Sequence, residues 1–190
     1  MSIFHSKQTK PQILATRTLA KSRIFEVEQV DLQFSNSEQR QYERLKSSGR
    51  VAVMVLPIDG EDLLMIREYS VGTEKYELGF VKGLIERDES TEQGANRELQ
   101  EEIGFAARQF VPLRRLYTSP GYMQGRMDVV IAQDLYPSQL TGDEPEPLEL
   151  VRVPLSQLDQ LINDPECGES RNLAALYMLR DYLLQASLTE

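Results

Sequence analysis

In the first third of the chain, hydrophobic and polar residues alternate over short stretches, a pattern typical of β-strands. The stretch IFEVEQVDLQF, followed by the turn-forming Ser35-Asn36-Ser37 and then QRQYERL, predicts a β-hairpin. A nearly continuous apolar run, VAVMVLPID at 51–59, predicts a buried central strand, and LLMIREY at 63–69 predicts its partner. Over 74–85 the pattern is irregular and contains glycine, so we expect irregular structure there.

The second half of the chain alternates strand and helix patterns. A helix is predicted over 90–103, because Ser90 and Gln93 form a capping-box signal and Gly104 stands at the expected stop. Strands are predicted at FVPLRRLYT, RMDVVIAQDL and LVRVP, and helices at PLSQLDQLIN and SRNLAALYMLRDYLLQ. Strands interspersed with helices indicate an α/β fold with a mixed sheet.

Composition restricts the chemistry. The chain has 21 Lys plus Arg against 30 Asp plus Glu, a net charge of −9, which argues against binding nucleic acid or an anionic membrane. One cysteine, Cys167, and one histidine, His5, exclude an internal disulfide and multi-histidine metal sites. A metal would therefore have oxygen ligands, as Mg²⁺ and Mn²⁺ prefer. Without a long apolar run, we expect a cytoplasmic protein with no membrane span.

Three carboxylates share a narrow arc of the predicted helix, namely those of Glu98, Glu101 and Glu102. Their repulsion destabilises a helix, and the ordinary interpretation is a solvated acidic face. The alternative is a site for a divalent cation, which would turn the repulsion into attraction. Arg97 beside the cluster and Glu89 before it favour the second interpretation.

Residues 83–105 resemble the Nudix box, G-x5-E-x7-R-E-U-x-E-E-x-G-U with U apolar, at every defined position. The matching residues are Gly83, Glu89, Arg97, Glu98, Leu99, Glu101, Glu102, Gly104 and Phe105. The resemblance implies the Nudix fold, in which a mixed β-sheet is sandwiched between helices. It also implies Mg²⁺- or Mn²⁺-dependent hydrolysis of a nucleoside diphosphate linked to another group.

Roles for the box residues follow from the same resemblance. Glu98, Glu102 and the backbone carbonyl of Lys82 would be metal ligands, and Glu101 an accessory ligand or a group that orients water. Arg97 and Glu89 would form an ion pair that holds the loop on the helix, and the glycines would be structural.

Features downstream and upstream of the box resemble the ADP-ribose pyrophosphatase branch, and within it the bacterial ADP compounds hydrolases of the NudE type. Pro120 matches a position that marks the branch, although Pro120-Gly121 alone is also an ordinary turn. The acidic sequence D-E-P-E, 143–146, would place Glu144 as general base and Glu146 as a metal contact. A solvated acidic loop is the alternative interpretation of this sequence.

The resemblance also divides the chain into an N-terminal β-hairpin extension, 1–47, and a hydrolase domain, 48–190. In the family the extension forms a homodimer and helps build the adenine site, so Tyr42, Glu43 and Arg44 are candidates for substrate binding. Arg67, at the end of a strand that leads into the site, is a candidate for a bidentate diphosphate contact.

We therefore predict an enzyme that cleaves the diphosphate of ADP-ribose, NADH or diadenosine di- and triphosphate to AMP plus the other phosphorylated half. Two alternatives stay open. One is a dedicated ADP-ribose pyrophosphatase, and the other is a sensor that binds ADP-ribose or NAD without turnover. The complete set of box acids favours an enzyme.

Overall fold

The structure is a computed structural model that describes residues 7–188, so His5 lies outside the described residues. The chain folds into two units. The N-terminal unit is Met1–Gly49 with Tyr117–Gly125, and the large unit is Arg50–Leu116 with Arg126–Glu190. Within residues 7–188, no helix has the length and apolar character needed to cross a bilayer.

Three antiparallel strands form the sheet of the N-terminal unit, in the order β1-β2-β3: β1 Gln12–Lys21, β2 Glu26–Gln33 and β3 Gln39–Leu45. The predicted hairpin is confirmed as β2–β3. Strand β1 was not predicted, because it is exposed along its whole length and lacks an alternating pattern of burial. The segment 117–125 joins this unit, where the Leu45 N–H donates to the Tyr122 carbonyl at 2.8 Å.

The large unit contains seven strands and three helices within the described residues. The strands are β4 Ala52–Asp59, β5 Asp62–Ser70, β6 Lys75–Gly79, β7 Val81–Leu84, β8 Phe105–Thr118, β9 Gly125–Pro137 and β10 Glu149–Pro154. The helices are α1 Thr91–Glu102, α2 Leu158–Ile162 and α3 Ser170–Ser187. The sheet order is β10-β5-β4-β9-β8, with β6 beside β5 and β7 beside β4. Since β4 is parallel to β9 and antiparallel to β7, the predicted mixed sheet is confirmed.

Alternate residues of β4 pack on opposite faces of this sheet. Val53 and Val55 belong to one apolar cluster with Ala95 and Leu99 of α1. Met54 and Leu56 belong to a second cluster, which contains residues of α2 and α3, among them Leu158, Leu176 and Leu179. Helices therefore cover both faces of the sheet, as expected for a Nudix fold.

The prediction of irregular structure over 74–85 was wrong, because β6 and β7 occupy most of it. Both strands are specified by the strands they pair with rather than by their own pattern: Tyr76 lies opposite Tyr69 of β5, and Val81 lies opposite Val55 of β4. Gly79 suits its strand position because a Cβ there would lie 3.1 Å from the Asn172 amide. The first predicted C-terminal helix is also shorter than expected, since a 3₁₀ turn at Leu155–Gln157 precedes α2.

Candidate active site

Local sequence fixes both ends of helix α1. The Ser90 hydroxyl accepts a hydrogen bond from the Gln93 backbone N–H at 3.2 Å, and the Gln93 side chain accepts one from the Ser90 backbone N–H at 2.8 Å. This is the predicted capping box. After the helix, Gly104 has a φ of +73°, a conformation that favours glycine. The acidic last turns of the helix are thereby held at a fixed place beside the sheet.

The Arg97 guanidinium joins the loop before α1 to the acidic face of the helix. It donates from Nε and Nη2 to the two Glu89 oxygens at 2.8 and 3.1 Å, and from Nη2 to the Leu84 carbonyl at 3.0 Å. Its Nη1 donates to Glu98 at 2.7 Å and to Glu101 at 2.8 Å. The hydrogen bonds to Arg97 lower the pKa of Glu89. The Arg97–Glu89 ion pair is present, and all five guanidinium N–H donors are used.

Glu98 is buried, with 8% of its surface exposed, and its carboxylate lies over Gly83. A Cβ atom built on Gly83 would overlap that carboxylate, so the glycine provides the space the acid occupies. Burial raises the pKa of Glu98, and the ion pair with Arg97 opposes the shift only in part. The carboxylate is thus held in an environment that disfavours its charge.

Glu102 is the most strongly perturbed acid of the cluster. Burial, reinforced by the nearby carboxylates of Glu98 and Glu68, raises its pKa to about 8 even though Lys82 favours the charged form. The Lys82 backbone N–H donates to this carboxylate, but Oε2 is buried and has no hydrogen-bond partner within the described chain. Buried polar atoms are rarely left unpaired, so this oxygen indicates a missing ligand.

The box residues border a cavity of about 600 Å³. Seven predicted site residues line it: Lys82, Gly83, Arg97, Glu98, Glu101, Glu102 and Glu144. Six further residues complete the lining and were missed by sequence reasoning: Arg50, Leu84, Glu86, Thr141, Gly142 and Asp143. The acids outnumber the cations in this cavity. It therefore suits a cation together with an anionic ligand.

The two predicted glutamates of the acidic loop lie in different surroundings. Glu144 lines the cavity, and burial raises its pKa, with added repulsion from Glu68 and Asp143. Glu146 is not among the lining residues, and its Oε1 accepts a hydrogen bond from the Tyr76 hydroxyl at 2.6 Å. Only Glu144 is therefore placed beside the box acids.

Arg67, the predicted candidate for diphosphate binding, and Arg50, which was not predicted, lie in different surroundings. Arg67, predicted from its strand position, forms an ion pair with Glu149 at 3.8 Å and does not line the cavity. Arg50 lines the cavity and pairs with the exposed Glu86 at 3.6 Å. The only sequence signal for Arg50 is its position directly before the central strand.

Candidate substrate residues of the N-terminal unit line a second, smaller pocket of about 280 Å³ within that unit. Tyr42, Glu43, Arg44 and Pro120 all border it. Most of the other lining residues are apolar or aromatic, including Ile13, Val30, Leu32 and Tyr122. Arg44 is held there by Glu28, whose carboxylate lies 3.0 Å from Nη2. The structure thus brings these four predicted residues together.

The donor set of the large cavity fits a hard divalent cation. Its acids offer oxygen ligands, and the unpaired Glu102 oxygen points to a missing partner. Among residues 7–188, however, no three acids, histidines or cysteines already converge on one point as metal ligands. The carboxylates of Glu98 and Glu101 are instead both in ion pairs with Arg97 Nη1, at 2.7 and 2.8 Å.

The chain belongs to the Nudix family: residues 49–173 match the NUDIX domain. Residues 11–44 match the N-terminal domain of NudE-type Nudix hydrolases. The family predicted from the box is therefore confirmed.

Among curated proteins, the chain is 52% identical over 174 residues to the ADP compounds hydrolase NudE of Escherichia coli (strain K12), covering 92% of this chain and 94% of the relative. It is 28% identical to the ADP-ribose pyrophosphatase of Bacillus subtilis (strain 168), covering 88% and 94%. A crystal structure of an ADP compounds hydrolase superposes with a TM-score of 0.91 at 50% identity, covering 96% and 98%. The predicted resemblance to the NudE type is confirmed by these relatives.

Proposed function

We propose that this protein hydrolyses the diphosphate bond of ADP-containing compounds and releases AMP plus the other phosphorylated half. The observation that carries the proposal is the buried Glu102 oxygen without a partner, in a cavity lined by Glu98, Glu101 and Glu144. The 52% identity to an ADP compounds hydrolase supports the substrate class. We expect the enzyme to act in the cytoplasm.

A divalent cation, Mg²⁺ or Mn²⁺, is part of this proposal. Glu98, Glu102 and the Lys82 carbonyl would hold it, with Glu101 as a further contact. Glu146, expected from the sequence as a metal contact, is not included, because it does not line the cavity and accepts a hydrogen bond from Tyr76 instead. When bound, the cation neutralises charge on the diphosphate and makes water easier to deprotonate. Arg97 sets the starting position of Glu98, since its Nη1 lies 2.7 Å from that carboxylate.

The proton of the attacking water goes to a carboxylate in this mechanism, because carboxylates are the proton-accepting side chains among the described residues that line the cavity. Glu144 is the proposed general base, because it lines the cavity and burial raises its pKa, which makes the carboxylate a better proton acceptor. Glu101 is the alternative, although one of its oxygens already accepts from Arg97 at 2.8 Å. Attack at the adenosyl phosphorus breaks its bond to the bridging oxygen and puts the water oxygen in AMP.

The cations of the site bind the diphosphate in the proposal. Arg97 has no donor to spare, and Lys82 Nζ lies 2.6 Å from Glu68. Arg50 faces the cavity and is the first candidate for a phosphate contact, with Arg67 as the second. Phosphate oxygens would compete with Glu86 for the Arg50 guanidinium.

The pocket of the N-terminal unit is proposed to take the adenine ring. Aromatic and aliphatic walls at Tyr42, Tyr122 and Leu32 suit a flat apolar base, and Glu43 offers a hydrogen-bond acceptor. We also propose a homodimer built through this unit, because exposed apolar residues such as Ile13, Leu14 and Leu19 line its edge strand β1.

The test is a substrate panel of ADP-ribose, NADH, diadenosine diphosphate and diadenosine triphosphate with Mg²⁺ or Mn²⁺, following AMP release. Turnover of several compounds is expected. Turnover of ADP-ribose alone would indicate a dedicated pyrophosphatase, and binding without turnover would indicate a sensor. Hydrolysis of ADP-ribose in ¹⁸O-water should label AMP, whereas label in ribose 5-phosphate would refute the proposed site of attack.

A further inference from the structure

Tyr76 is joined to the acidic loop by a hydrogen bond that the proposed mechanism does not use. The Tyr76 hydroxyl donates to Glu146 Oε1 at 2.6 Å. The Tyr76 ring packs edge-on against Tyr69, its opposite residue on β5, with ring centroids 5.4 Å apart. Tyr76 therefore emerges from the sheet at a defined angle, with its hydroxyl directed at the loop.

The loop over 141–148 has few other attachments. Before it, the Leu140 N–H donates to the Gln100 carbonyl at 3.1 Å, and after it β10 begins at Glu149. Between these points, in the part of the chain that the structure describes, the Tyr76–Glu146 contact is the only hydrogen bond to the loop. Packing contributes at the ends, where Gly142 lies close to the Glu101 carbonyl and Leu148 contacts the core.

Two prolines allow the hydrogen bond at Glu146 to restrict the position of Glu144. Pro145 separates Glu144 from Glu146, and Pro147 follows. Each proline has a fixed φ and no N–H, so the short segment moves as a stiff piece. Fixing Glu146 therefore restricts where Glu144 can lie. Glu144 borders the cavity, and Glu146 is held outside its lining.

We propose that the Tyr76–Glu146 hydrogen bond is a positioning contact that keeps Glu144 on the cavity. Tyr76 and Glu146 are then positioning residues and do not touch the substrate. The inference rests on the proposed function, because Glu144 matters only if the cavity performs the hydrolysis. It gives Glu146 a role different from that of a metal contact.

The kinetic test compares variants that break the hydrogen bond with variants that keep it. Tyr76→Phe and Glu146→Ala should each lower kcat about fivefold to tenfold, with KM changed less than about twofold, since a charge-assisted hydrogen bond is lost. Glu146→Gln should retain activity within about twofold, because its amide oxygen still accepts from the hydroxyl. Tyr69→Phe is the matched control, as its hydroxyl has no hydrogen bond within residues 7–188.

A double variant separates positioning from general destabilisation. In a Glu144→Gln background, Tyr76→Phe should cause no further loss of kcat, because the residue it positions is already disabled. Full additivity of the two losses would overturn the inference. So would a Glu146→Gln variant as impaired as Glu146→Ala, since that result would mean that Glu146 acts through its charge.

A measurement without turnover keeps the two proposals distinguishable. Backbone ¹⁵N order parameters at Asp143, Glu144 and Glu146 should fall in Tyr76→Phe but not in Tyr69→Phe. Unchanged order parameters in Tyr76→Phe would refute the positioning contact whatever the activity. Lower order parameters in Tyr76→Phe, when the wild type hydrolyses none of the compounds in the substrate panel, would instead refute the proposed function and leave the contact intact.

Discussion

Asp128, which is buried, and Glu102, which is half-buried with one buried carboxylate oxygen, are both acids of the large unit, but their surroundings differ. Asp128 accepts hydrogen bonds from Arg115 Nε and Nη2 at 2.6 and 2.8 Å and from the Thr91 hydroxyl at 3.0 Å. Arg115 lowers the pKa of Asp128. Burial raises the pKa of Glu102 to about 8, and one of its oxygens has no partner in the described chain.

The comparison distinguishes Asp128, which stabilises the fold, from Glu102, which destabilises it. Asp128, on β9, ties β8 to the first residue of α1, so its burial is compensated by strong hydrogen bonds. Glu102 gains no comparable partner, so its burial lowers the stability of the ligand-free protein. Strongly perturbed acids of the second kind cluster at functional sites.

The largest expected effect is on activity at Glu102. Glu102→Gln should reduce kcat by roughly 10³ or more, because a proposed metal ligand is lost. The variant should still fold, since the uncharged amide removes a buried acid. AMP release and thermal unfolding measure the two effects, with Glu92→Gln on the exposed side of α1 as the matched control. Near-normal turnover in folded Glu102→Gln would refute the assignment.

Replacing Asp128 should instead lower stability and leave activity nearly unchanged. Asp128→Asn should lower the free energy of unfolding by about 2 kcal/mol, because it weakens two charge-assisted hydrogen bonds to Arg115. Its kcat should stay within about twofold of wild type at a temperature where the variant is folded. Denaturant unfolding and AMP release together make the check. A large loss of kcat without a loss of stability would mean that the two acids do not differ in role.

The pH dependence of stability should have opposite signs for the two acids. Between the ordinary glutamate pKa of 4.5 and the raised value of about 8, folded Glu102 keeps a proton that the unfolded chain releases. Wild-type stability without metal should therefore fall as pH rises through this range, relative to Glu102→Gln, by about 1.4 kcal/mol per pH unit and up to about 5 kcal/mol in total.

For Asp128, whose pKa is lowered in the folded protein, stability should instead rise with pH. Its stabilisation is present above the unfolded pKa of 3.8 and is lost as pH falls through the lower folded value. Denaturant titrations of wild type, Glu102→Gln and Asp128→Asn from pH 3 to 9 with a chelator measure both slopes. Parallel stability curves for all three proteins would contradict the comparison.

The smallest expected effect is on KM, in a comparison of Arg50, which lines the cavity, with Arg115, which pairs with Asp128. Arg50→Met should raise KM about tenfold with little loss of stability, because its cavity-facing guanidinium is proposed to bind phosphate. Arg115→Met should instead lower stability and leave KM unchanged, since it serves Asp128. Initial rates and unfolding curves on both variants make the measurement. If Arg67→Met raises KM and Arg50→Met does not, the phosphate contact belongs to Arg67.

The sequence predicted helix α1 within a residue at each end because its caps are local. Ser90, Gln93 and Gly104 act on neighbouring backbone groups, so a short window contains the whole signal. Strands β6 and β7 escaped prediction because their identity depends on pairing with other strands. β6 pairs with the preceding strand β5, and β7 pairs with β4, nearly thirty residues earlier in the chain.

The residues of the candidate site also fall into a group that a local pattern predicts and a group that it does not. The acids of the Nudix box lie close together in the sequence, so their spacing was enough to predict that they share a site. Arg50 and Thr141 come to the cavity from other parts of the chain, and no local pattern marks them. The separate surroundings of Glu144 and Glu146 depend on Tyr76, a residue whose strand was itself not predicted.

Gly83 has a consequence for how this site can evolve. Every mutation at this position adds at least a Cβ atom, and that atom can be accommodated only if the Glu98 carboxylate moves. Even alanine at this position would therefore displace the carboxylate that is proposed to hold the cation. Lineages that lose this glycine should therefore be found to have lost the acidic cluster as well, and directed evolution for new substrates should leave position 83 unchanged while the surrounding loops vary.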